Sequence, residues 1–473
     1  MDTEHNQLWK IEGKKDGEEH GVMKLLESGI EGFEDIKLSE PEMLTTFIDL
    51  CYEKYPADIY DLIMWDHGMG PAYGFGKDIR GGILSLADMV TALDSSSLIK
   101  DGKNFEIINF DACLMSNAEV AAALGRFADD LICSSEEMPD AGQSYTNILN
   151  EVKKHPAMNG YEIGRFIVDE YGELYTDDFK YGVPCTLSVI NCANFNRRML
   201  PLLNELSVLL SEEAETPAAD GSHRFWDEVY SRLAAFEYGL GSYDLCDLSG
   251  LCAALGCVQN ERAGLSAEEI AESRNRYTEV AASLMTVLAD DDNSGDDVLH
   301  SCCVSVPART VSNRNIMNAD GVFASRGEEF RLIPKGMSIF FPSDRPKYTA
   351  DYVKAMRELT AVMLEGAGKT FIESYTETAA YYMLTAADTS ADTSPSGSDN
   401  SGGSATPSES TADTPEPAPD SSSVGTDIPT ESVSTPEAGD NTGDKSPDTG
   451  STSVGVSAAL ILSAAFLLRK RRD

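Results

Sequence analysis

Apolar and polar positions alternate between two periods through the first two hundred residues, and the alternation marks out the elements. Short apolar-rich runs at Tyr60–Trp65, Phe105–Phe110, Leu131–Ser134 and Cys185–Asn191 read as strands. Helical periods fill the spaces: Glu42–Tyr55, closed by Pro56, then Leu84–Leu93, Ser116–Phe127, Tyr145–Lys153 and Tyr161–Tyr171. Strand, crossover helix and strand in this order predict an α/β fold with a mostly parallel sheet flanked by helices. Leu8–Glu12 reads as a short alternating strand before a turn at 13–17. Residues 193–290 read as largely helical, Ser301–Val306 and Met337–Phe341 as later strands, and Tyr352–Leu364 as a late helix.

Composition changes the picture at the C-terminal end. Aromatic residues vanish between Asp388 and Gly450, where Ser, Thr, Pro, Asp and Gly take over. Such a stretch buries too little apolar surface to offset its ordering entropy and is expected to be a disordered tether. It carries 13 acids and one base, hence −12 of the whole chain's −42. Phosphate binding needs clustered Lys and Arg, so nucleic acid is excluded as a partner, and basic substrates or cations are favoured. All ten cysteines lie between Cys51 and Cys303 without zinc-site spacing. Several, such as Cys133, Cys185 and Cys302, fall within apolar runs and read as buried thiols.

In an open α/β sheet, functional groups collect beyond the C-terminal ends of the strands. One strand ends Trp65-Asp66-His67-Gly68-Met69-Gly70, and the next ends Phe110-Asp111-Ala112-Cys113-Leu114-Met115 before a helix. His67 and Cys113 would thus meet at one sheet edge, where an imidazole can take the proton of a thiol nucleophile. The N–H groups of Gly68 and Cys113 are candidate donors to an oxyanion. Spacing alone leaves open the alternative of a buried cysteine and a loop histidine.

The wording of the two segments goes further. Asp66-His67-Gly68-x-Gly70 and Asp111-Ala112-Cys113-Leu114-Met115 resemble the two signature segments of the clostripain family of cysteine peptidases, which share the caspase–gingipain fold. Leu84-Ser85-Leu86, Ser134–Glu137, Tyr243–Leu248 and Gly336–Pro342 extend the resemblance over roughly residues 6–380. It implies Cys113 as nucleophile, His67 as general base, and Asp111 at the base of a pocket selecting Arg or Lys before the scissile bond. An Asp two residues before the nucleophile on an extended segment points to the same side as it does. Glu136, Glu137 and Asp140 would add to that pocket, although Gln143-Ser144 stand where the family carries a Trp-containing form. The family's calcium dependence is implied as well. The acidic loop 290–297 fails as an EF-hand, because its twelfth position is Ser301 rather than Glu, and reads as a solvated loop. The resemblance also implies processing between the dyad residues, at Lys77 or Arg80 in a Gly-rich segment read as an exposed loop. Because fold does not fix function, the alternative reading is a catalytically silent surface binding module.

The expected organisation is a caspase-like catalytic core at 1–200, a helical and α/β remainder at 201–386, a tether at 387–445 and a terminal segment at 446–473. That last segment reads Ser446-Pro447-Asp448-Thr449-Gly450, an apolar run Val454–Leu468, then Arg469–Arg472. The order resembles the cell-wall sorting signal of Gram-positive bacteria, with Ser446 in place of the usual Leu. It implies sortase as a partner and anchoring at an extracellular wall or membrane. The run is short of the ~20 residues of a comfortable transmembrane helix. Met1–Glu42 holds neither a signal-peptide core nor an apolar central strand. Truncation at the N-terminus is therefore expected, with the Tyr60–Trp65 strand left with an unpaired edge.

Overall fold

A computed structural model describes residues 5–12, 22–78, 80–176, 185–216, 218–222, 224–233, 244–256, 263–289, 297–304, 309–311, 330–332, 335–341, 346–390 and 463–469. These belong to a compact unit of Met1–Thr393 with Ala459–Asp473. The turn at 13–17, the acidic residues 290–296 and the sorting residues Ser446–Gly450 lie outside the described residues.

Strand β1 (Leu8–Glu12) pairs antiparallel with β2 (Val22–Leu26), a partner the sequence pattern did not reveal. Helix α1 (Pro41–Lys54) leads into β3 (Ile59–Trp65). After β3 come the short helix α2 (Gly70–Tyr73), α3 (Leu86–Ser95), α4 (Ser97–Lys100) and β4 (Phe105–Asp111). Ser85 caps α3 in a reciprocal capping box with Asp88, which fixes where that helix begins. Then follow α5 (Ala118–Leu124), β5 (Ala128–Cys133), α6 (Tyr145–Lys154), α7 (Gly160–Thr176) and β6 (Cys185–Asn191). The sheet is completed by β8 (Leu299–Val304) and, at its other side, by β12 (Ser463–Arg469), in the order β12-β3-β4-β5-β6-β8.

Four of these six strands run in one direction; β6 and β12 oppose them. The reversal at β6 has a traceable cause. Helix α6 starts at the C-terminal edge of the sheet, where Tyr145 reaches Asp111. Helix α7 starts at the opposite edge, where Gly160 lies against Glu106 and Asp130. It climbs back until the Tyr175 hydroxyl donates to the Gly142 carbonyl, 2.8 Å away. Two passes return the chain to the edge it left, so β6 must run antiparallel to β5.

Alternate residues feed different cores, as the strand period of two requires. Leu62, Met64, Ile108, Phe110 and Leu131 join the large core, while Ile107, Ile132, Leu187 and Val189 pack under α6 and α7. The region after β6 is helical as expected: α8 (Cys192–Asn194), a π-turn at Phe195–Met199, α9 (Leu200–Ala214), α10 (Arg224–Leu233), α11 (Leu248–Leu255) and α12 (Ala267–Ala289). The three-residue strands β7 (Leu245–Asp247) and β11 (Ser338–Phe340) pair with each other, as do β9 (Arg309–Val311) and β10 (Phe330–Leu332). Helix α13 (Pro346–Val362) packs on α2 and α3. Helix α14 (Ala367–Ser390), which the sequence pattern did not reveal, packs on α9 and α13 and runs past the expected start of the tether at 387.

Two expectations are corrected here. The edge of β3 is not unpaired: Ser463–Arg469 lies against it in a seven-residue antiparallel register from Ser463↔Trp65 to Arg469↔Ile59. The same register departs from a transmembrane helix over the terminal apolar run. Part of that run is a strand, and among the described residues no helix is long and apolar enough to cross a membrane. The physical reason is the row of N–H and C=O groups on β3, which an extended apolar segment can satisfy. In the acidic loop, Asp297 is buried rather than solvated and faces Arg165 at 3.7 Å.

Candidate active site

The parallel ladder between β3 and β4 pairs Trp65 with Asp111. His67 and Cys113 therefore each stand two residues beyond the last paired position, at the same edge of the sheet. Contact between their loops is direct. Gly68 packs so tightly on the next loop that a Cβ placed on it would lie 1.9 Å from the carbonyl oxygen of Cys113.

The loop after β3 is held by its own backbone. The Gly76 N–H donates to the His67 carbonyl at 2.7 Å, and the Met69 N–H donates to Gly74 at 2.9 Å. Phe75 bridges both Gly68 and Leu84 and is fully buried. The segment from Gly74 to Gly82 is thus only partly the exposed loop expected from its glycines: Lys77 is exposed, but Gly74, Phe75, Gly76 and Asp78 are buried. The guanidinium of Arg80 is engaged by Asp78 and by the Asn6 side chain and Ile36 carbonyl. Asp66 accepts the His67 backbone N–H through Oδ1, while its buried Oδ2 has no partner among the described residues. Burial raises its pKa above the ordinary carboxylate value.

After β4 the chain turns sharply. Leu114 adopts φ +59°, a left-handed conformation unusual for a bulky side chain. Its N–H donates to Glu136, the Ser116 N–H donates to Ser134, and Asn117 caps α5 by accepting from the Val120 N–H. This turn lifts Cys113 out of the strand and aims its sulfur at the loop Ser134–Gln143.

That loop arches over both Cys113 and Asp111. The Met138 N–H donates to Cys113 Sγ at 3.1 Å. Asp111, 4% exposed, accepts from the Tyr145 hydroxyl at 2.7 Å and the Gln143 N–H at 3.3 Å, both on Oδ2. The loop is pinned at both ends. At its start, Thr186 Oγ1 accepts the N–H groups of Ser135 and Glu136. At its end, Asn109 and Gln143 exchange two amide hydrogen bonds of 2.7 and 3.0 Å. Gly142 closes over Asp111 with φ +60°, and a Cβ there would stand 2.8 Å from the carboxylate. Glu137 is half-buried beside the thiol and Asp140 is exposed.

Burial pushes the Cys113 thiol up to about 11; the Met138 N–H opposes this, and Glu137 and Glu136 add to it. Burial likewise raises the pKa of Asp111, against the two donors that favour its charged form. Among the described residues, no hydrogen bond joins the imidazole of His67 to the thiol, and neither the Gly68 nor the Cys113 N–H donates to a backbone carbonyl. Calcium finds no group of three or more Asp, Glu, His or Cys side chains able to hold it among the described residues.

The structure brings together His67, Gly68, Asp111, Cys113 and Glu137, and it sets Lys77 and Arg80 on the far limb of the His67 loop. Sequence reasoning missed Asn109, Met138, Tyr145 and Thr186. Asn109 carried the one available signal, a polar residue between Ile108 and Phe110 in the middle of the strand.

Known proteins resemble this chain in both sequence and structure. The clostripain of Hathewaya histolytica is 30% identical over 166 residues, an alignment that spans about a third of each chain, 32% of both. An inactive zymogen C11 protease from Parabacteroides distasonis superposes with a TM-score of 0.45 at 19% identity, over 76% of this chain and 84% of that one. A secreted C11 cysteine protease from Bacteroides thetaiotaomicron, solved with an irreversible peptide inhibitor, gives 0.44 at 18% identity, over 76% and 87%. The family model described as the clostripain family matches residues 3–300, and the chain belongs to that family.

Proposed function

We propose that the chain is a cysteine endopeptidase that cuts peptide bonds after Arg or Lys, with Cys113 as nucleophile and His67 as its base. The observation that carries this reading is the shared register of β3 and β4, which sets both residues two positions beyond one sheet edge. On substrate binding, His67 takes the thiol proton as Sγ attacks the scissile carbonyl carbon. The N–H groups of Gly68 and Cys113 receive the developing oxyanion. His67 then returns the proton to the leaving amine, and water hydrolyses the thioester. The loose dyad of the free protein is compatible with this, because such hydrogen bonds commonly tighten only in the substrate complex.

Asp111 supplies the charge that selects a basic side chain, with Glu137 and Asp140 extending the negative potential along the loop. The net charge of −42 favours basic peptides as partners. The likeness of Ser446–Gly450 to a sorting signal supports a location outside the cell, with a sortase acting between Thr449 and Gly450 to join the protein to the wall. That transfer would also remove Ser463–Arg469, the strand on β3.

A peptide library digested by the full chain tests the specificity. Cleavage should follow Arg and Lys, and Asp111→Asn should lose about 2–5 kcal/mol of transition-state binding for those substrates. Retention of basic specificity by Asp111→Asn would assign the selecting carboxylate elsewhere.

A further inference from the structure

The two donors on Asp111 are unevenly placed. The Tyr145 hydroxyl and the Gln143 N–H both reach Oδ2, at 2.7 and 3.3 Å, and among the described residues none donates to Oδ1. A carboxylate oxygen has two lone pairs, so Oδ2 is saturated and Oδ1 is open. The arrangement is rigid. Tyr145 opens α6, Gln143 is locked to Asn109 by the reciprocal amide bonds, and the Gly142 carbonyl is fixed by Tyr175. Gly142 also has no side chain to fill the space against the carboxylate, where a Cβ would meet both oxygens at 2.8 and 2.9 Å.

We infer that Tyr145 is a specificity-positioning residue: by occupying Oδ2 it leaves Asp111 a single acceptor oxygen, and the pocket therefore prefers Lys over Arg. This rests on the reading of Asp111 as the selecting carboxylate. A guanidinium gains most from a carboxylate by engaging both oxygens with its planar fork. An ammonium is a point charge and needs only one. With Oδ2 taken, Arg is reduced to a single end-on bond and its planar fork loses the two-oxygen match, whereas Lys keeps the one contact it needs.

The test is a pair of peptide substrates identical except for Lys or Arg before the scissile bond, assayed for kcat/KM with the full chain and with Tyr145→Phe. The wild type should favour Lys. Removing one hydroxyl frees a lone pair on Oδ2, and the Lys-to-Arg ratio should fall roughly tenfold, the worth of one charge-assisted hydrogen bond. The acid limb of the kcat/KM profile should also move to higher pH, because the Tyr145 hydroxyl holds the Asp111 pKa down. A mere packing role for Tyr145 would move neither the ratio nor the limb. An unchanged ratio in Tyr145→Phe, or a wild type that favours Arg, overturns the inference while basic specificity stands. Cleavage after neither residue overturns the reading beneath it.

Discussion

Gly68 and Cys113 are in backbone contact: any side chain at position 68 would enter the space held by the Cys113 carbonyl, whose oxygen lies 1.9 Å from where a Cβ would stand. The contact fixes the separation of the loop that carries the imidazole from the loop that carries the thiol. Gly68→Ala must push them apart, because the obstacle is backbone and not a flexible side chain. Overpacking of this kind costs about 1–3 kcal/mol, and a dyad displaced by an ångström loses about a hundredfold in rate. Thermal unfolding temperature and kcat/KM should both fall in Gly68→Ala; an active, equally stable variant would show that the contact is unimportant.

Burial holds the Cys113 thiol at about 11 in the free protein, so at neutral pH it is a thiol and not a thiolate. Alkylation of Cys113 by a small neutral reagent should be slow at pH 7 and accelerate as pH rises toward 11, since only the thiolate reacts. Mass spectrometry of the labelled peptide across about pH 6–10 checks this. A rate that is flat across that range would mean that His67 already holds an ion pair with Cys113 at rest.

Glu119 lies wholly buried on α5, the helix that follows Cys113. Its Oε1 accepts from the Phe340 N–H and the Tyr352 hydroxyl, each at 3.1 Å, and Oε2 has no partner among the described residues. Burial raises its pKa from 4.5 to about 7. A carboxyl whose pKa is higher folded than unfolded contributes stability in full below the unfolded value, and this is lost as pH rises through the folded one. Between about pH 4.5 and 7 the protein should therefore lose stability on the order of 3 kcal/mol through Glu119. Asp130, also raised to about 7 by burial, acts in the same direction. Melting temperatures of wild type and Glu119→Gln across about pH 4.5–8 test the assignment: the variant should show the shallower decline, and parallel curves would contradict it.

Self-cleavage, if the basic specificity is right, should fall after Lys77 and not after Arg80. Lys77 is exposed, whereas Arg80 is tied to Asp78, Asn6 and Ile36 and its side chain is not available to a pocket. Intact masses after prolonged incubation of the active protein and of Cys113→Ala would show the cut. A product ending at Arg80, or a wild type that remains whole, would contradict this.

Strands β3, β4, β5 and β6 were legible because each holds a short apolar-rich run bounded by turn residues, and the ends of β3 and β4 pointed to His67 and Cys113; β5 starts at Ala128 rather than at Leu131, because Asp129 and Asp130 hide its first half. The short strands β7 and β11 were not, since three residues carry no period. The pairing of β12 with β3 joins positions some four hundred apart, and nothing local to either segment encodes it. Asp111 was readable from its parity with Cys113, but its clamp was not. Tyr145 reads locally as the start of a helix, and Gln143 as a loop residue; only the fold that brings α6 to the sheet edge gives them a shared partner.

The central claim is that His67 and Cys113 act as one catalytic unit at the carboxyl edge of β3 and β4. Turnover of a Lys- or Arg-containing peptide by the full chain, compared with Cys113→Ala and His67→Ala of matching melting temperature, tests it most directly. Each variant should lose at least ~10³-fold in kcat, and the double variant should lose little more than either, as expected of residues that work together. Full activity in Cys113→Ala, or no activity in the wild type toward any peptide while both variants bind peptide equally, would contradict it.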